Sequence, residues 1–135
     1  MRFDLWGVAP GDRVGMLALN SDVYHEYLFA VPWADAVVAP VNTRWSPAEI
    51  IYSLRDAQIN VFIVDDAFAP MIPVLRAGYP ELRTVIFCGG GEAPAESLNF
   101  EQLLLDAKPI EDARRGGNEL FGIFYTGGTT GEPKA

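Results

Sequence analysis

Short, nearly continuous apolar runs alternate along this chain with longer amphipathic stretches. The runs lie at residues 14–19, 37–41, 61–64, 84–88 and 120–125, and they are rich in β-branched and aromatic residues, as in Val61-Phe62-Ile63-Val64. They show no in/out alternation of apolar and polar residues, which suits strands buried on both faces of a parallel sheet. Every connection between consecutive runs exceeds the roughly dozen residues that a parallel crossover needs. The pattern predicts an α/β fold, a mostly parallel five-stranded sheet with flanking helices and no interior domain boundary.

The amphipathic stretches carry helix punctuation. Ser46-Pro47-Ala48-Glu49 sets a capping hydroxyl, a proline at the first helical position and a carboxylate at the third, which is a capping box. The helix it opens presents Ile50, Ile51, Leu54 and Ala57 to the sheet. Behind the cluster Asn20-Ser21-Asp22, a helix from Asp22 to about Ala34 places Val23, Tyr27, Ala30 and Val31 on one face, with Pro32 expected to kink or end it. A helix over 67–77 must accommodate Pro70 and Pro73, and a short one is expected over 100–107. Residues 89–97 and 108–118 read as surface loops.

Composition narrows the function classes. The chain has 135 residues, half of them hydrophobic, enough for a core and contrary to intrinsic disorder. Its length alone suggests one domain. Ten Lys and Arg against eighteen Asp and Glu leave a net charge of −8, the wrong sign for a protein that grips a phosphodiester backbone. No nucleic-acid partner is expected. The single cysteine, Cys88, excludes an internal disulfide, and the single histidine, His25, excludes Cys/His zinc modules. With no basic-then-apolar leader and no run near the roughly 20 apolar residues of a membrane span, the expected compartment is the cytoplasm.

One segment departs from packing logic: Tyr125-Thr126-Gly127-Gly128-Thr129-Thr130-Gly131-Glu132-Pro133-Lys134-Ala135. Three glycines, three threonines and a lysine directly after an apolar run make a loop whose amides can converge on one anion. Charge-assisted hydrogen bonds contribute on the order of 1.5–3 kcal/mol each, so several of them hold a polyphosphate even on an acidic protein. A Walker A loop is excluded, because Lys134 follows Pro133 and precedes Ala135. The dinucleotide pattern G-x-G-x-x-G fails here and at Gly89-Gly90-Gly91 as well. The remaining candidates read as ordinary structure. Cys88 ends an apolar run with no histidine near it, His25 and Glu26 lie on a solvated helix side, and Asp65-Asp66 make a turn or helix start rather than a metal site. Trp6, Trp33 and Trp45 read as packing residues or subdomain contacts. No G-x-S-x-G is present, so hydrolase chemistry lacks its nucleophile elbow.

The segment resembles the signature loop of the adenylate-forming superfamily, which includes acyl-CoA synthetases, peptide-synthetase adenylation domains and beetle luciferases. That pattern, Tyr-Thr-Ser-Gly-Thr-Thr-Gly-x-Pro-Lys-Gly, is matched from Tyr125 to Lys134 except at Gly127, where most members have serine. Ala135 replaces the final glycine. Gly11-Asp12-Arg13-Val14, Pro40-Val41-Asn42 and the stretch holding Ser46, Glu49, Leu54 and Asp56 also resemble acyl-CoA synthetases, and Asp35 stands where they usually carry glycine. The resemblance implies that the chain is part of a large N-terminal AMP-binding domain, ending at the phosphate-binding loop. It implies ATP, Mg2+ and CoA, with a carboxylic acid, of fatty-acyl type by the Gly-Gly variant, as substrate. Thr126, Gly127, Gly128, Thr129, Thr130, Gly131 and Lys134 would bind the β- and γ-phosphates, and no catalytic residue or metal ligand falls within the chain. Two alternatives stand beside a carboxylate–CoA ligase: a non-catalytic remnant with weak nucleotide binding, and an adenylation domain that loads a carrier protein.

Overall fold

The computed structural model describes residues 8–126. Five strands, β1 (Arg13–Leu17), β2 (Val37–Pro40), β3 (Ile59–Val64), β4 (Thr84–Phe87) and β5 (Leu98–Asn99), pair in the order β2-β1-β3-β4-β5. All four ladders are parallel, as the long crossovers require. The helices are α1 (Asp22–Trp33), α2 (Pro47–Asp56), α3 (Ile72–Gly78) and α4 (Phe100–Asp106), with a 3₁₀ turn at Ala69–Met71.

The apolar runs conceal a period of two, because both faces of the sheet are covered. Val61 and Ile63 of β3 join Val14, Met16, Tyr27, Ala30 and Val31 on the α1 side. Phe62 and Val64 join Leu17, Ile50, Leu54 and Leu75 on the α2–α3 side. This division follows from handedness. The β1–β2 step and the β2–β3 step run in opposite directions across the sheet, so right-handed crossovers put α1 and α2 on opposite faces.

Local signals decide where the helices start and stop. Ser21 caps α1 by accepting the Tyr24 amide, and Pro32 falls in its last turn, just before the helix ends at Trp33. The capping box of α2 is complete: Ser46 Oγ accepts the Glu49 amide while Glu49 accepts the Ser46 amide. Ile50, Leu54 and Ala57 are buried and Ile51 packs against them. The single helix expected over 67–77 is instead a 3₁₀ turn followed by α3, each with a proline in its first turn. A first turn tolerates a proline because the amide hydrogen it lacks has no partner within the helix there.

Residues 120–125 depart from the expected fifth strand. They lie beyond β2 at the other edge and meet the sheet as an isolated parallel bridge, Gly122 to Val38. The Val38 amide donates to Phe121 O and the Ile123 amide to Val38 O, at 3.0 and 2.9 Å. The fifth strand of the sheet is β5, two exposed residues that directly follow the stretch read as a loop. A two-residue strand, Leu98-Asn99, is too short to carry an apolar pattern.

Candidate functional site

In the bridge to Val38 the 120–125 segment runs parallel to β2, so it arrives at the carboxyl edge of the sheet, the edge at which open α/β sheets bind ligands. Ile123 and Tyr125, two residues apart, both pack on the α2 side of the core. The Tyr125 ring meets the buried indole of Trp45 edge-on, with centroids 5.9 Å apart. Its hydroxyl donates to Asp56 Oδ2 at 2.6 Å. Burial, and then the adjoining Asp56 carboxylate, push the Tyr125 hydroxyl above its ordinary pKa, so it remains a donor. Thr126, the first predicted phosphate ligand, follows this anchor and is exposed. Gly127, Gly128, Thr129, Thr130, Gly131 and Lys134 lie outside the described residues, as does Trp6.

A second feature of the same edge is a cleft of about 540 Å³ lined by Leu19, Ser21, Asp22, Val23, Asp65, Asp66, Ala67, Cys88, Gly89 and Gly90. It sits where the strand order reverses, between the ends of β1 and β3. The two aspartates are structural. Asp65 accepts the amides of Leu19 (2.8 Å) and Ala67 (3.0 Å), tying together the turns that follow β1 and β3. Asp66 accepts the amides of Gly90 (2.7 Å) and Gly91 (3.2 Å). The glycine run 89–91 is therefore an anion cradle already filled by a carboxylate of its own chain. Three carboxylates and no cation line this cleft, which repels a triphosphate. At about 4.8 Å per strand, the 120–125 segment stands roughly 12 Å from the β1/β3 crevice. The loop entrance and the acidic cleft are separate places.

Other candidates resolve into packing. Burial and the nearby Asp65 charge push the Cys88 thiol up to about 12, which makes it a poor nucleophile. His25 is exposed, as expected, but its side of α1 is less polar than the sequence suggests: Phe29 is 65% and Trp33 42% exposed. The His25 and Phe29 rings lie 5.1 Å apart. Trp33 Nε1 donates to Ile110 O, and Trp45 is a core residue. Among the described residues no helix is long and apolar enough to cross a membrane. Two features went unpredicted. Nothing in the sequence pairs Asp56 with Tyr125, 69 positions apart. The Tyr27 hydroxyl, inside an apolar helix face, donates to Val14 O and accepts the Ala39 amide, bridging β1 and β2.

Comparison with known proteins gives a consistent picture. A family model described as AMP-binding enzyme matches residues 2–135. A long-chain-fatty-acid–CoA ligase of Thermus thermophilus is 37% identical over 131 residues, covering 95% of this chain and 23% of that protein. A fatty acid–[acyl-carrier-protein] ligase of Streptomyces coeruleorubidus is 32% identical, covering 95% of this chain and 23% of that protein. Among solved structures, the anthranilate CoA ligase AuaEII in complex with anthranoyl-AMP matches with a TM-score of 0.89 at 30% identity, over 96% of this chain and 25% of that one. The chain spans about a quarter of the length of these relatives.

Proposed function

The chain belongs to the AMP-binding enzyme family, and from that premise we propose that it is the phosphate-binding part of an ATP-dependent carboxylate–CoA ligase of fatty-acyl type. The observation that carries the reading is Tyr125, anchored at the carboxyl edge of the sheet and followed at once by the loop sequence from Thr126 to Lys134. A carboxylate oxygen of the acid attacks the α-phosphorus of ATP, and the bond to pyrophosphate breaks. A thiol then attacks the acyl carbonyl of the adenylate and AMP leaves. In the first step the loop orients the β- and γ-phosphates for in-line departure and stabilises the charge they gain, through backbone amides, the hydroxyls of Thr126, Thr129 and Thr130, and Lys134. No general base is assigned to this chain.

Mg2+, which the resemblance brings with ATP, finds no ligand set among the described residues: the Asp65 and Asp66 carboxylates are taken by amides. CoA is the favoured acceptor, because the Thermus relative is named as a CoA ligase. The Streptomyces relative, named as a carrier-protein ligase, supports the same adenylation with a carrier-protein thiol as the second reading.

The test is carboxylate-dependent ATP–pyrophosphate exchange by the intact enzyme over a panel of fatty acids, followed by acyl transfer to CoA or to a carrier protein. Exchange with at least one fatty acid, reduced tenfold or more by Lys134→Ala, is expected. Failure of every carboxylate to support exchange overturns the proposal, and an unchanged rate for Lys134→Ala removes the loop from its role.

A further inference from the structure

We propose that Asp56 and Trp45 are positioning residues for ATP: together they hold Tyr125, and through it the entrance of the phosphate loop, in register with the sheet edge. The inference rests on the phosphate-binding reading of the Thr126–Lys134 segment and adds two residues from a different element.

Asp56 is the last residue of α2, and a carboxylate there faces the negative end of the helix dipole. Helix stability gives no reason for an acid at this position; the Tyr125 hydroxyl does. The hydrogen bond is charge-assisted and short, 2.6 Å, in the stronger class of such contacts. The ring beneath it is fixed independently by the edge-on Trp45 indole, itself only 8% exposed. Among the described residues the backbone of this segment meets β2 at the Gly122–Val38 bridge, three residues upstream of Tyr125, where the absent side chain lets Val38 and Phe124 close on Gly122. Tyr125 therefore supplies a second hold one residue before Thr126. Near-attack geometry is sensitive to displacements of about 1 Å, so the position of this hold bears directly on how the loop meets phosphate.

The experiment measures KM for ATP and kcat by pyrophosphate exchange in the intact enzyme, with thermal midpoints recorded alongside. Tyr125→Phe keeps the ring and removes the donor; Asp56→Ala removes the acceptor; Asp56→Asn keeps a neutral acceptor. Tyr125→Phe and Asp56→Ala are each expected to raise KM for ATP by about 3–10-fold, below the full worth of a charge-assisted hydrogen bond because the contact is open to solvent. The double variant should be no worse than either single, since both remove the same contact, and Asp56→Asn should recover most of the loss. A wild-type KM in Tyr125→Phe, or a drop in thermal midpoint with KM unchanged, overturns the proposal. Lys134→Ala separates the two levels: if it impairs exchange while Tyr125→Phe does not, the positioning role alone fails, whereas if neither does, the phosphate-loop reading fails with it.

Discussion

Arg115 Nη1 lies 2.6 Å from Asp35 Oδ1, across 80 positions of sequence. Asp35 turns the chain between α1 and β2 in the left-handed conformation, φ +64°, which glycine adopts freely and aspartate better than most residues. The same guanidinium approaches Glu119 Oε2 at 3.4 Å, and its Nε donates to Leu120 O at 2.8 Å. One side chain, 11% exposed, thus ties the segment entering 120–125 to the turn that starts β2. It sets the segment that leads to the proposed phosphate loop beside the sheet edge.

This arrangement separates two substitutions at Asp35. Asp35→Gly relieves the left-handed backbone, by about 1 kcal/mol, and gives up a partly exposed ion pair of similar or smaller size, so its net effect on stability should be near zero. Asp35→Ala loses the pair and keeps the strain, and should cost about 0.5–1 kcal/mol. Urea unfolding of both variants checks the order. Equal stabilities for Gly and Ala at this position would remove the backbone argument.

Tyr27 gives a second prediction. Its hydroxyl satisfies one buried carbonyl and one buried amide, Val14 O at 2.6 Å and the Ala39 N–H at 2.8 Å. Tyr27→Phe strands both and should destabilise the fold by about 1–3 kcal/mol. Burial holds the Tyr27 hydroxyl well above its ordinary pKa of 10.0. An acid whose pKa is raised by folding contributes its full stability below the unfolded-state pKa and loses it as pH climbs beyond. The wild type should therefore lose stability as pH rises above 10, and Tyr27→Phe should lose less over the same window. Parallel pH curves for the two proteins would exclude Tyr27 as a source of that loss.

How much of this was legible in the sequence depends on the range of each interaction. The capping box at Ser46–Glu49 and the strands Val37–Pro40 and Ile59–Val64 are local patterns, and they emerge within a residue or two of the expected positions. The loop motif is contiguous, so ten adjacent residues suffice to identify the family. Tyr125–Asp56 and Arg115–Asp35 are contacts between distant positions that no periodicity marks. The 120–125 run fell short of a full strand: its apolar composition matches that of a buried strand, but among the described residues it meets the sheet edge as an isolated bridge at Gly122. Asp65-Asp66 read as a turn from sequence, while their role in clamping the β1 and β4 turns needed the topology.

Cys88 supplies a third prediction. Its thiol is raised from 9.0 to about 12, by burial first and then by the charges of Asp65, Asp66 and Glu101. Near pH 8 the native protein should therefore react with iodoacetamide far more slowly than the denatured chain, because the thiolate is the reactive species. Its contribution to stability is complete below pH 9 and is lost as pH rises from 9 toward 12. Mass spectrometry of timed alkylation, with and without urea, reads the difference. Equal rates in the two conditions would show that partial burial and the neighbouring carboxylates do not suppress the Cys88 thiolate.

The residues of this chain also predict how far its chemistry reaches. In the proposed reaction the loop holds the departing phosphates, but the described residues offer no Mg2+ ligand set and the cleft beside them is acidic. The chain covers about a quarter of the length of its relatives. Adenylation requires the α-phosphate and the acyl carboxylate to be held in line as well as the leaving group, and a loop that grips only the leaving group does not achieve that. The isolated 135-residue polypeptide should therefore show no carboxylate-dependent pyrophosphate exchange above background, while the intact enzyme does. A purified chain of this length that folds, as judged by circular dichroism, and still supports exchange would require an acyl site and an α-phosphate site within residues 1–135. The acidic cleft between β1 and β3 would then have to be reconsidered as part of the active centre.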